Sequence, residues 1–185
     1  MALRRHHYEQ AFETYLRRRR IPYVAVDEAK KTLLPGGPVP ESGPALKSFD
    51  FVVYGRSGNV LAEVKGRRVR RSRMECWVTR DDVESLSRWE HLFGPGFDAA
   101  FVFVYWFDGQ PPDALFQEVF THADRWYALR TVRVGDYARA MRTRSRAWGT
   151  IDLSPAAFER LSAPFAPSDC TLGIGDAVPA LEVMV

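Results

Sequence analysis

The chain has 185 residues, 46% of them hydrophobic and 26% charged, with a formal net charge of +3. That size and balance fit one α/β domain with a core of its own, and no apolar run approaches the roughly 20 residues a membrane-spanning helix needs. Charges begin at Arg4 and leave no signal-peptide core. Two cysteines, Cys76 and Cys170, are too few for a disulfide or metal framework. A reduced, cytoplasmic protein is the expectation.

Arginine is unevenly placed. Arg17 to Arg20 are four in a row, and Lys65, Arg67, Arg68, Arg70, Arg71 and Arg73 put six positive charges into nine positions. Arg139, Arg142, Arg144 and Arg146 form a third cluster. Such clusters suit phosphate backbones, or simply a solvated basic surface.

In chain order, Tyr8, Ala11, Phe12, Tyr15 and Leu16 recur at the spacing of an amphipathic helix, predicted over 3–19 and stopped by Pro22. "YVAVD" (23–27) predicts a short strand, and the Pro/Gly-rich 30–47 a long loop. "FDFVVY" and "NVLAEVKGR" predict a hairpin about Ser57-Gly58. Thr79 with Asp82 reads as a helix N-cap pair, opening a helix that Gly94 stops. "AAFVFVYWF" (99–107) predicts a central strand covered on both faces, and 125–134 a further strand. A second basic helix is predicted over 135–148, then an edge strand at "GTIDLS" and a short helix at "PAAFERLS". The domain is expected to span 1–163, with 164–185 a Pro/Gly-rich tail.

The hairpin carries the chemistry. A turn centred on Ser57-Gly58 sets Asp50 opposite Lys65 and Val52 opposite Glu63. Asp50, Glu63 and Lys65 then share one face with Val52, Tyr54 and Leu61, while Phe51, Val53, Ala62 and Val64 take the other. Two converging carboxylates repel unless something neutralises them, and a hard divalent cation such as Mg²⁺ does so. The plainer alternative is an exposed hairpin with an Asp–Lys cross-strand pair, worth under ~1 kcal/mol.

An acid on one strand followed by Glu-x-Lys on the next, here Asp50 and then Glu63-Val64-Lys65, resembles the core motif of the PD-(D/E)XK nuclease superfamily. The residue before Asp50 is Phe49 where the named pattern has proline. "HYEQAFE" (7–13) is similar to the string that names a bacterial group, the HYExAFE proteins. The resemblance implies an α/β, restriction-endonuclease-like core: a mixed central β-sheet flanked by α-helices. It implies a nuclease with Mg²⁺ or Mn²⁺ held by Asp50, Glu63 and the Val64 backbone carbonyl. Lys65 would orient the attacking water and stabilise developing charge. The resemblance also implies an acid from the first helix at the metal site, and Glu9 is the candidate: it lies roughly 90° from the centre of the apolar stripe, at its rim, while Glu13 at about 130° points more to water. His7 is expected to be packed and hydrogen-bonded, the tryptophans mostly core, and Trp77 the one to consider for base stacking. Arg67, Arg68, Arg70, Arg71, Arg73 and Lys47 would grip nucleic acid, DNA rather than RNA, and a homodimer would suit cutting both strands. The alternative is a catalytically silent nucleic-acid-binding or assembly module on the same fold.

Overall fold

A computed structural model describes residues 3–26, 46–55, 58–69, 74–109 and 119–165, with the backbone alone at 3–6. Most of the Pro/Gly-rich loop, Ser57, Arg70, Arg71, Arg73 and Cys170 lie outside the described residues.

The elements are α1 (Leu3–Arg18), β1 (Tyr23–Ala25), β2 (Phe51–Tyr54), β3 (Asn59–Arg68), β4 (Val78–Thr79), α2 (Arg80–Phe93), β5 (Phe97–Phe107), β6 (Val119–His122), β7 (Arg125–Arg133), α3 (Val134–Ala140), β8 (Arg142–Ser145), β9 (Thr150–Asp152) and α4 (Pro155–Leu161). Six strands form a mixed sheet in the order β1-β2-β3-β5-β7-β6, in which only β3 and β5 run parallel. The parallel pair needs a crossover, and α2 provides it. This is the mixed central sheet flanked by helices that the hairpin motif implied.

The sheet is covered on both faces, and β5 shows why its sequence is unbroken by charge. Phe101, Phe103 and Tyr105 point to one side and Ala100, Val102 and Val104 to the other, all fully buried. The aromatic side packs against Val83 and Leu86 of α2, Tyr137 of α3 and Phe158 of α4. The side of small residues receives α1, through Ala11, Phe12, Tyr15 and Leu16, the stripe predicted from spacing. Beyond α4, Phe165 joins that second cluster, edge-on to Phe12. Gly66 of β3 lets α1 come close: a Cβ there would lie 2.1–2.6 Å from the Tyr8 ring.

Two expectations need correction. The second basic helix stops at Ala140, because Met141 is extended and 142–145 instead pair with β9 as β8. Arg142 reinforces that pairing with an ion pair of 2.8 Å to Asp152. The predicted edge strand β9 is the middle of a second, three-stranded sheet, β4-β9-β8. The α2 start is as predicted, with Asp82 completing a capping box in place of the usual Glu or Gln.

Gly66→Ala should destabilise the fold by about 1–3 kcal/mol, because the whole Tyr8 ring must shift and α1 with it. Thermal melting checks this, and Gly66→Ala combined with Tyr8→Ala should recover part of the loss.

Candidate active site

β2 and β3 pair with Phe51 opposite Ala62 and Val52 opposite Leu61. The register is two residues away from the one the turn predicted, so Val52 does not face Glu63. An even slip leaves the faces unchanged. Val52 and Leu61 belong to the α2-side cluster, and alternation along β3 carries Glu63 and Lys65 to that same side.

Asp50 lies where the β2–β3 ladder ends. Its Oδ2 accepts the Val64 N–H at 2.6 Å, standing in for the strand partner that β3 lacks beyond Ala62. In a strand the N–H and C=O of one residue point the same way, so the Val64 carbonyl also faces the Asp50 side. The carboxyl is largely buried, and its pKa is raised from 3.8 to about 8. Burial is the main cause and the Glu63 charge the second, with Glu9 adding to them; the Val64 N–H and Lys65 act the other way.

Lys65 donates to Glu63 Oε1 at 2.8 Å, and its Nζ lies 3.1 Å from Asp82 Oδ2. Burial alone would lower its pKa, but Glu63 and Asp82 together raise it. Lys65 is therefore held as an ammonium, suited to binding negative charge rather than to accepting a proton.

Asp82 is the residue the sequence reading placed only in a helix cap. Its backbone N–H bonds Thr79 Oγ1 at 3.1 Å, and its Oδ2 accepts the Thr79 N–H at 2.9 Å. Burial would raise its pKa; Lys65 and the Thr79 hydrogen bonds overcome this and hold it at about 2. The Glu-x-Lys spacing did not reveal it, since a helix cap and a site residue look alike in sequence.

The remaining candidates divide. Glu9, on α1 and across the sheet, is close enough for its charge to be felt at Asp50. Among the described residues, however, no three His, Cys, Asp or Glu side chains form a metal-holding group. Lys47, proposed for phosphates, lies 3.2 Å from Asp82 Oδ1 and 3.8 Å from Asp81, while its carbonyl accepts the Trp89 indole N–H at 2.7 Å. Arg67 turns inward: its guanidinium lies 4.1 Å over Trp77 and donates to the Gly66 and Trp77 carbonyls. Arg68 is exposed, bound to Asp108 at 2.7 and 2.8 Å and set 4.7 Å over Trp106. His7 is packed as expected, 3.0 Å from the Tyr127 hydroxyl. Trp148, by contrast, is 81% exposed and not core.

The donor set suits a hard cation. Mg²⁺ keeps several waters and is commonly held by one or two carboxylates, which Asp50 and Glu63 supply, with the Val64 carbonyl on the same side. A cation held between the two partly buried carboxylates would also offset the Glu63 repulsion that helps raise the Asp50 pKa.

No family model and no curated protein matches the chain, so the finer likeness at "HYEQAFE" gains no support. Among solved structures it is similar to Hjc, a Holliday junction resolvase from Archaeoglobus fulgidus. The TM-score is 0.49 and the sequence identity 14%, over 85% of this chain and 93% of that one. What the site can do is decided by its own side chains. Among the described residues no helix is long and apolar enough to cross a membrane.

Without a cation, Asp50 is a liability that grows with pH. Below pH 3.8 it is protonated folded or unfolded and costs nothing. Between 3.8 and about 8 the folded state binds the extra proton, so stability falls as pH rises through that window. Asp50→Asn keeps an acceptor for the Val64 N–H and removes the charge. It should melt higher than wild type at pH 8 in chelator, by about 2–4 °C per kcal/mol relieved, and equally below pH 4. Equal melting at pH 8 would show that Asp50 is not electrostatically strained.

Proposed function

We propose that this protein is a divalent-metal-dependent nuclease, an endonuclease hydrolysing phosphodiester bonds in DNA rather than RNA. The observation that supports this best is the partly buried pair Asp50 and Glu63, whose charges oppose one another, beside a charged Lys65. A fold that only needed stability would not keep that arrangement. Mg²⁺ or Mn²⁺, held by Asp50, Glu63 and the Val64 carbonyl, would supply a more acidic water and neutralise charge at phosphorus.

The chain's own residues do the rest. Asp50 and Glu63 sit on or beside rigid strands, so their separation is set by the sheet. Lys65 presents its ammonium to the phosphate oxygen on which charge develops, or orients the water that attacks. Glu9 adds negative charge from the α1 side. Arg68 with Arg70, Arg71 and Arg73 would bind the phosphate backbone, giving affinity without sequence information, while Lys47 is engaged by Asp82 and Asp81. Arg67, folded onto Trp77, would brace that segment rather than touch phosphate.

The absence of a three-acid group among the described residues favours a second reading, a nucleic-acid-binding module with silent chemistry. A panel of labelled DNA and RNA substrates, with Mg²⁺, Mn²⁺ or chelator, separates the two. Wild type should cut at least one DNA form only with metal. Lys65→Ala should lose about 10² or more in rate, roughly 3 kcal/mol of barrier, while keeping most of its nucleic-acid affinity. If both proteins bind and neither cuts anything, the silent module is the better account.

A further inference from the structure

We infer that Asp82 is the positioning residue of the site: it fixes the Lys65 ammonium in place once Glu63 is engaged by a cation. The inference rests on the nuclease reading above and adds to it a residue outside the acid and Glu-x-Lys pattern.

Glu63 and Lys65 lie two apart on one strand, so their 2.8 Å contact is a local one. A cation drawing on Glu63 competes directly for the oxygen that Lys65 holds. Lys65 then needs a second anchor on another element, and Asp82 Oδ2, 3.1 Å away on α2, provides it. That anchor is itself immobile. The capping box fixes Asp82 to Thr79 through both its backbone N–H and its carboxylate. Its other oxygen takes Lys47 at 3.2 Å. Asp82 thus lies between two lysines, one to each oxygen.

The choice of lysine is telling. The chain has 22 arginines and four lysines, Lys30, Lys31, Lys47 and Lys65, yet two of the four converge on this one carboxylate. An ammonium is a compact charge with three donors. Lys65 gives one to Glu63 and one to Asp82, and the third is uncommitted among the described residues. With Glu63 drawn to a cation, the Asp82 bond keeps the ammonium at the site and leaves its other N–H groups to meet a water or phosphate oxygen.

Asp82→Ala tests this: Oδ2 takes both Lys65 and the Thr79 N–H, so an amide oxygen would still accept from Lys65, whereas alanine removes the anchor and its N–H still reaches Thr79 Oγ1. With Mg²⁺ present, kcat should fall about tenfold or more while KM moves less, and Asp82→Glu should recover part of the rate. Independently of activity, a protein labelled with ¹⁵N-lysine has four ammonium groups to resolve. With Mg²⁺ present, the Lys65 ammonium signal, held by Asp82, should persist in the wild type, broaden away in Asp82→Ala that still shows a cooperative melt, and return in Asp82→Glu. An unaltered kcat, or a Lys65 signal untouched by Asp82→Ala, overturns the inference. A wild type that cuts nothing refutes the nuclease reading instead, and the lysine spectrum still decides whether Asp82 fixes Lys65.

Discussion

One hydrogen bond organises the site: Asp50 Oδ2 accepting the Val64 N–H at 2.6 Å. β3 is ten residues long and β2 only four, so the longer strand continues past its antiparallel neighbour. A strand edge left there would expose unpaired backbone groups. Asp50 closes that gap with a side chain and so brings a carboxylate into the plane of the sheet. From that position its charge meets Glu63, carried on the α2 side, and Glu9, carried on α1 across the sheet. The two helical layers share an electrostatic centre because β2 is short.

The charges around that centre do not balance locally. Asp50 is pushed up by burial and by Glu63, while Asp82 is held down by Lys65 and Thr79. Lys65 serves Glu63 and Asp82 rather than Asp50, to which it offers only a weak, more distant attraction. A core built for stability would fill such a place with apolar side chains. Here the hydrophobic work is done elsewhere, by the aromatic side of β5 against α2, α3 and α4 and by its small side against α1. The close seat of Tyr8 on Gly66 keeps α1, and with it Glu9, near the end of the motif strands.

Much of this was legible in the sequence, for physical reasons that differ by element. The α1 stripe and the apolar β5 run are strong periodic signals, and both are found where predicted. The face shared by Glu63 and Lys65 survived a wrong register because a slip of two residues keeps side-chain parity. The register itself was not legible: a turn centred on Ser57-Gly58 sets it two residues away from the pairing of Tyr54 with Asn59. The helix predicted to Trp148 failed where Arg142–Ser145 found a partner strand in β9, a tertiary pairing that overrides local pattern. Arg67 read as one more surface cation, and only packing reveals its place over Trp77. Asp82 satisfied a helix cap so completely that nothing in its spacing pointed to Lys65.

The central claim is that Asp50 and Glu63 together hold a divalent cation. Titrating Mn²⁺ into the protein without nucleic acid, followed by calorimetry and by the loss of the free Mn²⁺ paramagnetic signal, tests it most directly. The account predicts saturable binding that Mg²⁺ displaces and that Glu63→Gln abolishes while the fold is retained. No saturable binding, or binding that Glu63→Gln leaves unchanged, would contradict it.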